Sequence, residues 1–310
     1  MRSISVSVAL NEIHILLFSG LGRCWYLSMS GKFVEMVDLR LDTGFTKNPN
    51  QVIVYPRGIV ACGIVEAENI CAAYDMFDMK WSVTHLNLPH NVVATYAPNG
   101  KLHVFFYDHE EIQPENGTVT SGLYHIWVNS LNHDVREQEC KFSCTTEKDL
   151  SIDWTCSLKA ATTVSCGENQ NVKIYVANEK QLICFTEDSA EKYLVEKIDL
   201  DFHFDSGCMV AAEDSLYFIQ AGKELRCKIF NTHSKTFTEK RPPKLRSDST
   251  STAVYFAGQI YLFNGSPKQE RTYLQIYDIK RDKWNVSKLK MPCGLTGTTA
   301  VLMNSYYNKA

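Results

Sequence analysis

Short runs of apolar, β-branched and aromatic residues alternate with turn residues along nearly the whole chain. Ser251-Thr252-Ala253-Val254-Tyr255-Phe256 leads through Ala257-Gly258-Gln259 into Ile260-Tyr261-Leu262-Phe263-Asn264-Gly265. Val6 to Leu10 leads in the same way into Ile13 to Gly20, and Val52 to Tyr55 leads through Pro56-Arg57 into Gly58 to Gly63. Val92 to Tyr96 precedes Leu102 to Tyr107, Ala161 to Cys166 precedes Val172 to Ala177, and Met209 to Ala212 precedes Leu216 to Ile219. Two β-rich runs joined by a short turn predict a hairpin. No segment sustains a helical period, so the chain reads as all-β.

The hairpin turns fall near positions 11, 57, 99, 170, 213 and 258, and four of the five intervals are about 42–46 residues. That period matches a four-stranded propeller blade. The long interval, from 99 to 170, holds two polar stretches read as insertions, Asp108 to Ser121 and Asn132 to Asp153. A second regularity follows the hairpins. Tyr74 precedes Trp81 by seven residues, and the same spacing separates Tyr277 from Trp284, Phe230 from Phe237, and Tyr26 from Phe33. This spacing places one aromatic at the end of a third strand and the other at the start of a fourth. Such a unit cannot bury its apolar face alone and must stack on copies of itself.

Tyr74-Asp75 with Trp81-Ser82 and Tyr277-Asp278 with Trp284-Asn285, followed by Leu88-Pro89 and Met291-Pro292, resemble the tail of the kelch repeat. The glycine pair of that repeat is reduced to one glycine at Ser19-Gly20, Cys62-Gly63, Ala221-Gly222 and Asn264-Gly265, and two units keep none. The resemblance implies one six-bladed kelch-type propeller over residues 1–310, with four antiparallel strands per blade. The blades would span about 3–40, 51–89, 91–140, 158–200, 206–243 and 250–291, with 297–303 as a candidate closing strand. It also implies a binding module and no enzyme: the substrate-recognition part of a BTB–kelch adaptor for a Cullin-3 ubiquitin ligase. The BTB and BACK portions that contact Cullin-3 would lie outside this chain. A kelch scaffold binding cytoskeletal proteins is the alternative, and a propeller enzyme the more distant one.

Composition narrows the partners. A net charge of -3 gives no electrostatic reason to expect nucleic acid or an anionic membrane. No apolar run approaches the roughly 18 residues that span a bilayer. Eleven cysteines, many inside apolar runs, point to a reducing compartment, here the cytoplasm or nucleus. Cys140, Cys144, Cys156 and Cys166, with His125 and His133, do not follow the close paired spacing of structural zinc. No metal and no cofactor are therefore expected. Asp108-His109-Glu110-Glu111 reads as a solvated charge run, not as acid–base machinery.

Loops on rigid scaffolds carry binding. Arg241, Arg246, Asp248, Ser249 and Thr250 form a loop rich in cations and hydroxyls, and Lys268 and Arg271 stand in a neighbouring loop. Arginine grips carboxylates bidentately, so an acidic peptide is the expected ligand. Arg23, His90 and Asn91 fall in other loops of the same rim. Asn50, Val92, Ser206 and Thr250 lie about one strand length before a hairpin turn, at the expected mouth of a central channel, and Val92 breaks their polar pattern.

Overall fold

The computed structural model describes residues 14–18, 24–27, 32–35, 51–55, 58–65, 68–75, 80–85, 93–96, 101–109, 121–129, 141–144, 158–166, 171–189, 192–205, 207–247, 251–266, 271–289 and 299–303. Among them the regular structure is β-strand alone, in six four-stranded antiparallel sheets. No helix among the described residues is long and apolar enough to cross a membrane.

The first sheet has β1 (His14–Phe18), β2 (Cys24–Leu27) and β3 (Phe33–Glu35) in order. Its other edge is β24 (Thr299–Met303), which pairs with β1 in the register Leu16↔Val301. The candidate closing strand thus completes the first sheet and covers an edge otherwise open to foreign strands. The second sheet is β4 (Gln51–Tyr55), β5 (Gly58–Val65), β6 (Glu68–Asp75) and β7 (Lys80–His85). The third is β8 (Val93–Tyr96), β9 (Lys101–His109), β10 (Ser121–Asn129) and β11 (Lys141–Cys144). The fourth is β12 (Ala160–Cys166), β13 (Asn171–Ala177), β14 (Gln181–Ser189) and β15 (Lys192–Asp199). The fifth is β16 (Cys208–Ala212), β17 (Ser215–Ala221), β18 (Leu225–Asn231) and β19 (Thr236–Lys240). The sixth is β20 (Thr252–Phe256), β21 (Gln259–Ser266), β22 (Arg271–Asp278) and β23 (Lys283–Val286).

Several sequence boundaries shift. Lys141–Cys144 is a fourth strand paired with β10, inside a stretch read as an insertion because its residues are polar. The first insertion is also shorter than expected, since Ser121 pairs with His109 and Gly122 with Asp108. The Ala257-Gly258 hairpin has two loop residues, with Phe256 opposite Gln259. Both loop residues have positive φ, 49° and 77°, which gives the twist that two-residue hairpins require.

The chain divides into two compact units. Residues 1–83, 221–225 and 241–310 form one, and residues 84–220 and 226–240 form the other. In the first, Ile15, Leu17 and Trp25 pack with Val254, Phe263, Leu274 and Ala300, so the first and sixth sheets share a core. In the second, Val93 and Phe105 pack on Ile174, Val176 and Phe185. On its other face the fourth sheet packs through Tyr175, Leu182 and Cys184 on Leu216, Phe218 and Phe230 of the fifth. The fourth sheet thus buries both faces, which is why its strands carry near-continuous apolar runs.

Candidate partner-binding surface

The aromatic pairs explain how each third-to-fourth strand turn is built. Tyr277 stands opposite Trp284 and Phe230 opposite Phe237 in their ladders. Both rings of the first pair are buried, with centroids 4.9 Å apart. The residue after the first aromatic caps the turn. Asp278 Oδ1 accepts from the Arg281 backbone N–H at 3.1 Å, and Asn231 Oδ1 accepts from those of His233 and Ser234 at 3.0 and 2.8 Å. Lys235 and Asp282, at matching positions, take φ of 55° and 47° to close the turns. One pair departs from this scheme: Phe33 lies opposite Leu27, and Tyr26 opposite Val34. Five residues separate the paired Leu27 and Phe33, against four between Asp278 and Lys283, so the spacing of seven occurs there without direct pairing.

The segment 241–247 links β19 to the sixth sheet and is held along its length. The Arg241 N–H donates to Asp282 Oδ1 at 3.2 Å, and the Arg241 carbonyl accepts from Trp284 Nε1 at 2.7 Å. Gln275 then clamps the middle. Its Oε1 accepts from the Lys244 and Leu245 N–H groups at 2.8 and 3.0 Å, and its Nε2 donates to the Leu245 carbonyl at 3.0 Å. Asn264 Nδ2 donates to the same carbonyl at 3.2 Å. The Ser247 N–H donates to the Ala221 carbonyl, in the same unit, at 2.6 Å. Gln275 and Asn264 are buried and satisfy one another as well, at 3.3 Å. A buried amide pair with its hydrogen bonds made fixes a backbone path and costs little.

This path separates the expected cations. Arg241 sits beside the β22–β23 turn, where its Nε lies 4.0 Å from Asp282 Oδ2. Arg246 is exposed and follows Leu245, which is bonded to Asn264 and Gln275. Arg271 is the first residue of β22, opposite Ser266, and is not in a loop. It lies at the end of β22 away from Asp278. At roughly 3.3 Å per residue, the strand puts Arg271 on the order of 20 Å from that turn. Arg241 therefore lies at the Asp278 end of β22, Leu245 beside its middle, and Arg271 at the far end. Arg23, Asn50, His90, Asn91, Ser206, Asp248, Ser249, Thr250 and Lys268 lie outside the described residues.

The amide clamp was missed in the sequence, where Gln275 and Asn264 look like ordinary polar positions in strands. A signal was present. Gln220 and Asn264 each stand seven residues after the positive-φ residue of their hairpin turn, Glu213 and Ala257. Gln220 Nε2 also donates to a connecting-segment carbonyl, that of His203, at 3.0 Å.

Among the described residues no three His, Cys, Asp or Glu side chains converge on a metal position. Burial holds the Cys24 thiol well above its ordinary pKa and raises that of Cys184, although Tyr175 and Thr186 oppose the shift there. Cys208 is half-buried as a residue, and desolvation pushes its thiol up to about 12. These thiols stay protonated at neutral pH and are weak nucleophiles and ligands.

No protein-family model matches the chain, and no curated protein is similar to it in sequence. Solved structures are similar in fold. A chain of a nidogen/laminin complex superposes with a TM-score of 0.55 at 10% identity, covering 93% of this chain and 98% of that one. The periplasmic gluconolactonase PpgL of Pseudomonas aeruginosa gives 0.52 at 10% identity, covering 95% and 100%. TolB from Acinetobacter baumannii gives 0.54 at 11% identity over 93% of this chain, which spans 66% of the TolB chain. These neighbours are β-propeller proteins, and none is specifically a kelch protein. The likeness shows the fold: four-stranded antiparallel sheets of propeller type.

Proposed function

We propose that the chain is a single six-bladed propeller of kelch type, and that it acts as a protein-interaction module. The segment that presents Arg246, together with Arg271 at the start of β22, takes an acidic peptide. One observation carries this reading. The backbone of 244–247 is clamped by Gln275, Asn264 and Ala221, while Lys244 and Arg246 stand exposed. A rigid backbone that presents free cations binds at low entropic cost. The Tyr-Asp…Trp turn, with its aspartate cap and paired aromatics, supports the kelch assignment. A structural neighbour solved as a protein–protein complex fits a binding role.

By the kelch resemblance, the module recognises substrates for a Cullin-3 ubiquitin-ligase adaptor in the cytoplasm or nucleus, and chemistry takes place elsewhere in the assembly. The test is affinity capture with the wild-type chain against Arg246→Ala/Arg271→Ala. The variant should lose the partner and melt with the wild type, because Arg246 is exposed and Arg271 stands at a strand end. A partner retained by the variant overturns the placement. Cullin-3 recovered with the full-length gene product supports the adaptor role, and its absence leaves a scaffold.

A further inference from the structure

The β18–β19 and β22–β23 turns have the same construction and different electrostatics. In the first, His233 Nε2 lies 3.6 Å from Asp214 Oδ2, and Lys235 Nζ is ion-paired with Glu196 Oε1. Each basic side chain there has a carboxylate oxygen within 4.0 Å. In the second, Lys280, Arg281 and Lys283 are exposed, and Arg241 joins them across the turn.

Two carboxylates stand among these four cations, and the fold has already engaged both. Asp282 Oδ1 accepts from the Tyr277 hydroxyl at 2.6 Å and from the Arg241 N–H at 3.2 Å. Asp278 Oδ1 accepts from the Arg281 N–H, and its Oδ2 is 3.6 Å from Arg281 Nη1. Lys280 and Lys283 have no carboxylate oxygen within 4.0 Å among the described residues. The side chains of Arg241 and Arg281 are 70% and 81% exposed, so their guanidinium forks remain open to solvent.

We infer that the β22–β23 turn, together with Arg241, is a docking surface for an Asp- and Glu-rich protein segment. The cluster is locally positive on a chain of net charge -3 and pI near 6.3. Nucleic-acid binders generally carry a far more basic domain. A short acidic segment, whose carboxylates the two arginines can grip in forks, matches the size and sign of the patch. The surface goes beyond the reading above, since it lies at the opposite end of β22 from Arg271.

The test is a fluorescence-anisotropy titration of the whole chain with a short labelled Glu-rich peptide, at about 50 and about 200 mM salt to vary the screening length. Wild type should bind, more weakly at the higher salt. Lys280→Glu/Lys283→Glu should weaken binding on the order of tenfold at low salt, the lower range of electrostatic steering effects. Lys280→Gln/Lys283→Gln gives the smaller, same-sign loss if charge reversal disturbs folding. Arg246→Ala/Arg271→Ala should leave this binding unchanged, which separates the inference from the proposed function. Four results would overturn it. Wild type could fail to bind, Lys235→Glu at the matching turn could weaken binding equally, or Arg246→Ala/Arg271→Ala could do so. An oligonucleotide of equal charge could also bind more tightly than the peptide.

Discussion

Residues 200–205, on the way into β16, are held by aromatic packing, whereas residues 241–247, on the way to β20, are held by amide groups. In the first segment Phe202 and Phe204 are buried, with ring centroids 5.4 and 5.3 Å from that of Phe218. Lys228 Nζ sits 5.1 Å over the Phe202 ring and bonds Asp201 at 2.7 Å. In the second, Gln275 and Asn264 hold the middle, and Trp284 acts through its indole N–H on the Arg241 carbonyl. The backbone bonds correspond. The Phe204 N–H donates to Glu179 of the preceding sheet at 2.7 Å, as the Ser247 N–H does to Ala221. Gln220 and Asn264 each reach a carbonyl of their segment. What recurs is satisfaction of the backbone, and the side chains that fill the space are free to vary. The exposed faces differ in sign as a result. Asp201 and Asp205 are exposed on the first segment, and Arg241, Lys244 and Arg246 on the second. A partner that reads the second segment therefore reads one repeat, not a pattern common to all.

The comparison can be broken most severely at its aromatic side. Phe204→Ala removes a fully buried ring with packed neighbours and should cost about 3–5 kcal/mol in chemical denaturation. A cost under about 1 kcal/mol would mean that the segment does not depend on that ring. Gln275→Leu keeps the volume and strands the Lys244 and Leu245 N–H groups, at roughly 1–3 kcal/mol for each group left unsatisfied. Amide exchange at Lys244 and Leu245 should accelerate in that variant, while Phe204 stays protected. Equal acceleration at both would show that the two segments open together.

High pH probes thiols in both units. The folded-state pKa of Cys208 is raised from about 9.0 to about 12, and that of Cys24 is raised too. Their contribution is whole below pH 9.0 and is lost as pH climbs toward 12, because the unfolded chain ionises first. Denaturation midpoints measured across that range should fall, and Cys208→Ala should flatten the fall. A midpoint independent of pH there would deny the enclosure of the thiols. The smallest effect is a gain. Ala257 holds a left-handed φ that Asn adopts more readily, so Ala257→Asn should raise stability by about 0.5–1 kcal/mol. Loss of stability would contradict the two-residue turn.

Much of the fold could be read from the sequence because hairpins declare themselves locally: period-two apolar runs and Gly-, Pro- or Asn-bearing turns need no tertiary context. The Tyr277…Trp284 turn was equally legible, since its cap and its paired rings are close in sequence. Lys141–Cys144 was not, because a short strand at a sheet edge needs no apolar pattern. The cation grouping failed for a related reason. Sequence proximity joined Arg241 to Arg246, while the Gln275 clamp, made by a residue about 30 positions away, runs the chain along β22 and parts them. Arg271 looked like a loop residue because the ladder to Ser266 has no apolar signature.

The most direct measurement is lysine cross-linking of the captured partner to the chain, read by mass spectrometry. The account predicts cross-links at Lys244 or Lys268, which are near Arg246 and Arg271 in sequence. Cross-links confined to Lys280 and Lys283 would move the partner to the other end of β22. Cross-links confined to lysines of the other unit, such as Lys192 or Lys235, would contradict the binding surface altogether.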